Sequence, residues 1–333
     1  MIYDIIVLGN GILGSMATYL LSEKYGNILN ISTPYAFRNE IYSSHFDESR
    51  IVHFDDQDPY WNDMAKESDK FNKEISVNLD SPFYRDVNFY QSTHAWQKLH
   101  AQAESTESID GAPRNGAILN PMLYINTLKS MAVENGVKFI ENIANIEYSK
   151  MFSHYYVQSK MRTFVCKRII DTRGAYICLD DLSIGKVAGK SLYFFEHDAG
   201  VKDFCFLVPI SHEKFTECYG VYQYDKVRCV GQLKIGFSEI QPECLDSKSS
   251  IIDWFRNSSS REYKHADAIY FIKEKFSNIQ NVAIKPCMFT LTQSGYPKIV
   301  RDKNLIRIAG CNGKAAKCAY SMIRSILTDE GFF

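Results

Sequence analysis

Three glycines near the start of the chain have a spacing that could do chemistry. Gly9, Gly11 and Gly14 spell G-x-G-x-x-G between an apolar run at residues 5–8 and a segment whose apolar residues recur at helical spacing. Where a strand turns into a helix in this way, free backbone N–H groups and the positive end of the helix can hold a pyrophosphate. The pattern alone is weak, but this context favours a dinucleotide site over a tight turn without a ligand.

The second predicted strand ends without the acidic residue that is usual in such a unit. An Asp or Glu about 20 residues after the glycine motif commonly holds the ribose hydroxyls of a nucleotide, and Ser32 stands there in this chain. A serine can bind a ribose hydroxyl, but less strongly than a carboxylate does. The serine argues against ordinary NAD recognition and weakens, without removing, the case for FAD.

Composition limits the class of protein. The chain has 333 residues, enough for two domains, and its formal net charge of −1 gives no sign of attraction to nucleic acid or to an anionic membrane. Its apolar runs are far shorter than a membrane-spanning helix, and residues 1–10 predict a strand and not a signal peptide. The nine cysteines form no C-x-x-C pair, so we expect free thiols in the cytoplasm and no zinc site.

The periodicity of the remaining chain predicts the elements that would position these residues. Residues 59–75 and 120–136 read as helices, the second with Asn120 as its N-cap. Residues 163–176 predict a buried strand that runs into a glycine turn, and residues 191–281 alternate strand-like segments typical of an antiparallel sheet. The chain then returns to a strand followed by a helix. These patterns predict an α/β protein with an antiparallel insertion.

Short stretches distributed from end to end of the chain carry a family pattern. Together they resemble, in the expected order, the FAD-dependent amine oxidases of the sarcosine oxidase and D-amino-acid oxidase group, and most closely the monomeric sarcosine oxidase branch. The stretches are GNGILGSMATYLL, YSSHFDESRIVHF, RIIDTRGAY, CYGVYQYD with GQLKIGF, CMFTLTQSGYPKI and GCNGKAAKC.

The resemblance implies a fold of the class α/β plus antiparallel β. A Rossmann-like FAD-binding domain would hold the cofactor, and an inserted substrate domain would be built on an antiparallel sheet. We expect the FAD-binding domain to comprise residues 1–80, 138–188 and 288–333, and the substrate domain to comprise residues 81–137 and 189–287.

The resemblance also implies roles for single residues. Arg50 would lie beside the flavin ring, and Lys234 would lie near its reactive nitrogen on the side where oxygen is reduced; both are candidate catalytic residues. Lys317 would help to bind a substrate carboxylate, with His53 and Tyr219 as further substrate-binding residues. The implied cofactor-binding residues are Gly9, Gly11, Ile12, Leu13, Gly14, Ser32, Ser43, Ser44, Arg50, Gly174, Cys287, Gly310, Gly313, Lys314 and Lys317, with Cys287 as the covalent tether of the flavin.

The activity implied is oxidation of a C–N bond in a small amine or amino acid by hydride transfer to FAD. The product would be an imine, and molecular oxygen would reoxidise the flavin to give hydrogen peroxide. Two departures put the usual N-methyl amino acid substrate in question: His53 replaces the second arginine of the family, and Ser238 replaces its histidine after the lysine strand. They also leave a flavin-binding protein with lost or altered catalysis as an alternative, and the glycine motif alone would allow an NAD(P)-dependent dehydrogenase.

Each candidate residue also has a plain structural interpretation. Arg50 could form a surface ion pair with Asp47, and Lys234 could lie on a solvated strand face. Cys287 could be an ordinary buried thiol. A lysine near the start of a helix opposes the helix dipole, so Lys314 and Lys317 are easier to explain if an anionic ligand lies nearby.

Overall fold

The computed structural model describes residues 1–33, 43–45, 47–91, 114–141, 143, 146–159, 162–196, 202–225, 230–276 and 279–333. Tyr42 and Phe46, which belong to the predicted serine- and histidine-rich stretch, lie outside these ranges. No helix within these ranges is both long and apolar enough to cross a membrane.

The chain alternates strands and helices along most of its length. In chain order the strands are β1 (Ile2–Leu8), β2 (Ile28–Ile31), β3 (Arg50–His53), β4 (Tyr84–Tyr90), β5 (Arg114–Leu119), β6 (Lys138–Ile140), β7 (Glu147–Met151), β8 (His154–Gln158), β9 (Thr163–Asp171), β10 (Lys186–Glu196), β11 (Phe204–Pro209), β12 (Phe215–Asp225), β13 (Val230–Glu239), β14 (Glu243–Cys244), β15 (Gln280–Leu291), β16 (Lys298–Asp302) and β17 (Leu305–Ala309). The helices are α1 (Ile12–Ser22), α2 (Pro59–Ser76), α3 (Pro121–Glu134), α4 (Ala175–Asp180), α5 (Lys248–Asn257), α6 (Glu262–Lys275) and α7 (Ala315–Asp329).

A mostly parallel sheet carries the glycine turn. Its strand order is β16-β17-β9-β1-β2-β6, and every neighbouring pair from β17 to β6 is parallel. β1 lies in the middle of this sheet and is apolar and buried over most of its length, as expected for a parallel strand covered on both faces. Helix α1 follows β1 and packs against α3 and α7, so the start of α1 is fixed at one end of the sheet.

The helices predicted at residues 59–75 and 120–136 both form, α3 with its expected N-cap Asn120 and α2 with Asp58, which was not predicted. The carboxylate of Asp58 accepts a hydrogen bond from the Tyr60 N–H at 2.9 Å at the start of α2. The amide oxygen of Asn120 accepts one from the Met122 N–H at 3.0 Å at the start of α3. These side chains satisfy N–H groups that have no partner within the helix, so the local sequence alone fixes where α2 and α3 begin.

A second, mostly antiparallel sheet has the strand order β14-β10-β13-β12-β11-β4-β5-β3, with β15 paired to β10. Together the two sheets confirm the predicted fold class, α/β plus antiparallel β. Strand β3 lies within the segment 1–80 that was assigned to the FAD-binding domain, yet it pairs with β5 of the second sheet. The division at the predicted domain boundaries stays a prediction.

The prediction of strands throughout residues 191–281 is wrong for one part of that segment. Helices α5 and α6 occupy it between β14 and β15. α5 begins at a capping box, in which Ser247 and Ser250 each bond the backbone N–H of the other. It then buries Ile251, Trp254 and Phe255, whose spacing of three and four residues suits one helical face.

Candidate functional site

A cavity of about 1100 Å³ is lined by residues of both sheets. It extends from the glycine turn after β1 to the face of β12 and β13 that carries Tyr219 and Lys234. A volume near 1000 Å³ is at the upper end of the range for small-molecule and cofactor sites. The cavity is thus large enough for an extended ligand that contacts both sheets.

The three positions of the motif require glycine for different structural reasons. Gly9 has a φ of +101°, and a Cβ there would lie 2.9 Å from the Thr172 carbonyl oxygen. A Cβ on Gly14 would lie 2.1 Å from the Gly9 carbonyl oxygen, so Gly14 allows α1 to pack against the turn. A Cβ on Gly11 would meet only the ring of His45, at 3.4 Å, among the described residues. Packing therefore requires Gly9 and Gly14, whereas Gly11 leaves space open to the cavity.

Most of the predicted site residues line this one cavity. Gly14 and Gly310 do not line it, and a Cβ on Gly310 would lie 2.2 Å from Cγ2 of Thr292, which gives Gly310 a packing role. The predicted residues that line the cavity are Gly9, Gly11, Ile12, Leu13, Ser32, Ser43, Ser44, Arg50, His53, Gly174, Tyr219, Lys234, Cys287, Gly313, Lys314 and Lys317.

One end of the cavity contains Ser32 and a charged cluster that the sequence did not predict. The Arg173 guanidinium bonds both carboxylate oxygens of the fully buried Asp171, and its Nη2 lies 2.9 Å from Asp180. Burial alone would lower the pKa of Arg173, but Asp171 and Asp180 raise it above its usual value. Arg173 therefore stays charged and held in one place at the end of the cavity where Ser32 replaces the usual acid.

Lys234 lies inside the protein and not on a solvated face. Its side chain is 7% exposed, and its Nζ lies 3.0 Å from Oδ2 of Asp47 and donates to the Ser49 carbonyl. Asp47 also pairs with Arg50, so one carboxylate is shared by both candidate catalytic cations. Burial lowers the pKa of Lys234 well below its usual value; the charge of Arg50 acts in the same direction, and the Asp47 carboxylate opposes it.

Lys314 and Lys317 share a second carboxylate. Lys314 Nζ lies 2.5 Å from Oδ1 of Asp56, and Lys317 pairs with the other oxygen. A carboxylate of the chain itself thus compensates the two lysines at the start of α7, and the expectation of an anionic ligand there stays a prediction. Burial alone would raise the pKa of Asp56, but the lysines hold it below its usual value. Lys314 also lies over the ring of Trp61, 5.2 Å from its centroid.

His53 is neutral and fixed in orientation. Burial, reinforced by the Lys317 charge, lowers its pKa to about 4. Its ring stacks on Phe89 with centroids 4.9 Å apart, and its Nε2 lies 3.1 Å from Lys317 Nζ. Because an ammonium can only donate, Nε2 accepts and the proton of His53 is on Nδ1. His53 therefore brings no positive charge to the position of the family's second arginine.

Cys287 lies on β15 where that strand borders the cavity. Its Sγ is half-buried and 3.7 Å from the Ser44 carbonyl oxygen, and its own carbonyl accepts a hydrogen bond from Trp254 Nε1 at 2.8 Å. Cys311 and Cys318 are more deeply buried, and burial raises the pKa of each to about 12. The geometry thus makes Cys287 more accessible than the two cysteines of the last predicted flavin loop.

Tyr219 lies across β13 at a position that only a glycine permits. A Cβ on Gly236 would lie 2.4 Å from the Tyr219 hydroxyl oxygen. The Nζ of Lys190, on β10, lies 4.7 Å from the centroid of the Tyr219 ring and 5.0 Å from that of Phe289. Sequence reasoning missed Lys190. A signal was available, because Lys190 lies in an alternating strand segment two residues before Leu192, and Leu192 pairs with Gly236.

The same part of the cavity is lined by two glutamates. Ser238, which replaces the family's histidine, donates to Oε2 of Glu217 at 2.8 Å. Burial raises the pKa of Glu239, and the Lys190 charge opposes that rise. The cavity is therefore polar around Tyr219 and carries both signs of charge.

No protein-family model and no curated protein matches the sequence. Solved structures share the fold. The open form of NikD, an unusual amino acid oxidase essential for nikkomycin biosynthesis, has a TM-score of 0.70 at 11% identity, covering 96% of this chain and 93% of that chain. Iminodiacetate oxidase (IdaA) from Chelativorans sp. BNC1 has a TM-score of 0.65 at 13% identity, covering 96% of this chain and 93% of that chain.

A third similar structure contains a cofactor. The glycerol-3-phosphate dehydrogenase from Bacillus halodurans, complexed with FAD, has a TM-score of 0.62 at 13% identity and covers 99% of this chain and 64% of that chain. The chain therefore has the fold that its resemblance to FAD-dependent amine oxidases implies. Roles of single residues rest on the geometry of this chain.

Proposed function

We propose that this protein is an FAD-dependent oxidoreductase that oxidises a C–N bond in a small amine or amino acid. The observation that carries the proposal is the cavity itself, which joins the open turn at Gly11 to the partly exposed Arg50 and the buried Lys234. The similarity of the fold to NikD and to iminodiacetate oxidase supports the same chemistry. The proposed setting is the cytoplasm, in keeping with the free thiols of the described cysteines.

The residues around the cavity suit FAD. Gly11, Gly174 and Gly313 leave open space along it, because a Cβ on Gly174 or Gly313 would meet nothing within 4 Å among the described residues. The backbone N–H groups at the start of α1 suit the pyrophosphate. We assign Ser32 to the ribose and Cys287 to the covalent tether of the ring.

FAD, when bound, would accept a hydride from the carbon next to nitrogen, which leaves an imine, and oxygen would then reoxidise it to give hydrogen peroxide. The residues of the chain bind and orient the reactants. Arg50 and Lys234 place positive charge where negative charge develops during reoxidation. His53, Lys317 and Tyr219 line the substrate end. Removal of the bound amine from water there would favour its neutral, reactive form.

The experiment that tests this proposal begins with the colour of the purified protein. A yellow protein with absorbance near about 450 nm contains oxidised flavin, and a colourless one would favour the NAD(P)-dependent alternative. Anaerobic bleaching by members of a panel of amines and amino acids, followed by hydrogen peroxide release in air, is the expected result. A yellow protein that no member of the panel bleaches would favour a flavin-binding protein without this catalysis.

A further inference from the structure

Most basic side chains around the cavity already bond a carboxylate of the protein. Arg50 and Lys234 share Asp47, and Lys317 shares Asp56 with Lys314. A carboxylate that already accepts from a cation leaves less of that cation's charge and fewer of its N–H groups for a ligand. Lys317, to which the resemblance assigns a substrate carboxylate, and Arg50, which it places beside the flavin ring, are both in this position.

Lys190 differs from these cations. Its ammonium lies between the rings of Tyr219 and Phe289, 4.7 and 5.0 Å from their centroids, and it borders the cavity. In the described ranges it forms no ion pair within 4 Å. From a greater distance the charge of Lys190 opposes the rise that burial causes in the pKa of Glu239, and Glu217 accepts a hydrogen bond from Ser238. Two aromatic faces can hold an ammonium in place through cation–π attraction without neutralising it.

We propose that Lys190 is the residue that binds the carboxylate of the substrate, and that the substrate is therefore an amino acid and not a simple amine. The inference rests on the proposed function, since it names the substrate class of that same cavity. Tyr219 acts here as a positioning residue, because its ring lies over Gly236 and supports the Lys190 ammonium.

The location of Lys190 fits this role. It precedes Leu192 by two residues, and Leu192 pairs with Gly236, which in turn is two residues from Lys234. Side chains two residues apart on a strand share a face, so Lys190 and Lys234 lie on one face of the sheet. Tyr219 lies on the same face, because it pairs with Gly236. A substrate held at Lys190 by its carboxylate would lie against the same sheet face as the proposed catalytic lysine.

The test compares Lys190→Met with the wild-type holoenzyme on matched compounds. Proline and pyrrolidine, and sarcosine and dimethylamine, differ within each pair only by the carboxylate. Anaerobic stopped-flow reduction of the flavin gives the Kd from its concentration dependence and, separately, the limiting rate. We expect the variant to bind the amino acids about tenfold or more weakly, because a charge-assisted hydrogen bond is lost, while the Kd for the amines changes less than about twofold.

Three variants complete the design. Lys190→Arg keeps the charge and is expected to keep the affinity for amino acids within a few-fold. Lys190→Gln serves as a second charge-free variant if the Met variant loses flavin. Lys150→Met is the matched control, because Lys150 also lies over a tyrosine ring, 5.5 Å from the centroid of Tyr155, without bordering the cavity.

The outcomes separate this inference from the function on which it rests. Equal losses on amino acids and amines in Lys190→Met, or no loss on either, would overturn the role of Lys190. So would a loss specific to amino acids in Lys317→Met with none in Lys190→Met. Wild-type flavin that amines reduce but amino acids do not would leave the function standing and overturn the inference. Wild-type flavin that no compound reduces would overturn both.

Discussion

At the scale of single residues, Gly11 is a glycine that the folded chain itself does not require. Among the described residues a Cβ there meets only His45, at 3.4 Å, whereas Gly9 and Gly14 are enclosed by backbone atoms. We expect Gly11→Val to fold normally and to purify with much less FAD, because its side chain occupies the space that the pyrophosphate needs.

The measurement for Gly11→Val is the ratio of flavin to protein absorbance, with thermal unfolding as the check on the fold. Gly14→Val is the contrasting variant, since its side chain would collide with the Gly9 carbonyl 2.1 Å away and is expected to destabilise the fold itself. Full flavin occupancy in Gly11→Val would show that the turn does not hold the cofactor.

A second prediction at the scale of single residues concerns Lys234, whose burial lowers its pKa. We expect Lys234→Met to slow reoxidation of the reduced flavin by oxygen by orders of magnitude while anaerobic reduction changes less, since a fixed cation stabilises the developing negative charge. Stopped-flow measurement of both half-reactions decides this. Equal reoxidation rates in wild type and variant would point to another cation or to another electron acceptor.

The lowered pKa of Lys234 gives this prediction a dependence on pH. The ammonium is present below its pKa and is lost as the pH rises through that value. Reoxidation in the wild type should therefore slow with rising pH at values well below the usual range of a lysine, and the rate in Lys234→Met should lack this step.

At the scale of elements, the pair of strands β12 and β13 positions Tyr219. Only a glycine at position 236 lets the phenol lie across β13, since a Cβ there would be 2.4 Å from its hydroxyl oxygen. We expect Gly236→Ala to displace Tyr219 and, with it, Lys190, and so to weaken substrate binding about tenfold or more while flavin content is retained.

The measurement for Gly236→Ala is the Kd of an amino acid substrate from anaerobic flavin reduction. Tyr219→Phe is the matched variant, because it keeps the ring over Gly236 and under Lys190. A wild-type Kd in Gly236→Ala would mean that the position of Tyr219 does not control the substrate site.

Elements also show where sequence reasoning succeeded and where it failed. Local signals sufficed for β1, α1, α2 and α3, because caps and periodicity lie within each segment. The helices α5 and α6 were missed, since short apolar groups in that stretch suit a strand as well as a helix until tertiary packing selects one face. The pairing of Asp47 with Lys234 and of Asp56 with Lys317 was missed because the partners are 187 and 261 residues apart in the chain.

At the scale of the whole molecule, Cys287 would connect the second sheet to a cofactor whose pyrophosphate the first sheet holds. Acid denaturation of the wild type should give a yellow pellet, and tryptic mass spectrometry should place the added mass on the peptide containing Cys287. Cys287→Ser should release the colour into the supernatant. Cys311→Ser is the matched control, since Cys311 also borders the cavity but is buried. A colourless wild-type pellet would make Cys287 an ordinary thiol.

The carboxylate of the buried Asp47 serves two cations from distant parts of the chain, the partly exposed Arg50 and the buried Lys234. Loss of Asp47 would leave both cations without their carboxylate, at a cost of about 3–5 kcal/mol for a buried group, whereas loss of either cation leaves a balanced pair. Substitution of Asp47 is therefore selected against as long as either cation is kept. In the descent of this chain Asp47 should persist wherever Arg50 or Lys234 persists, whereas charge balance allows either cation to be lost alone.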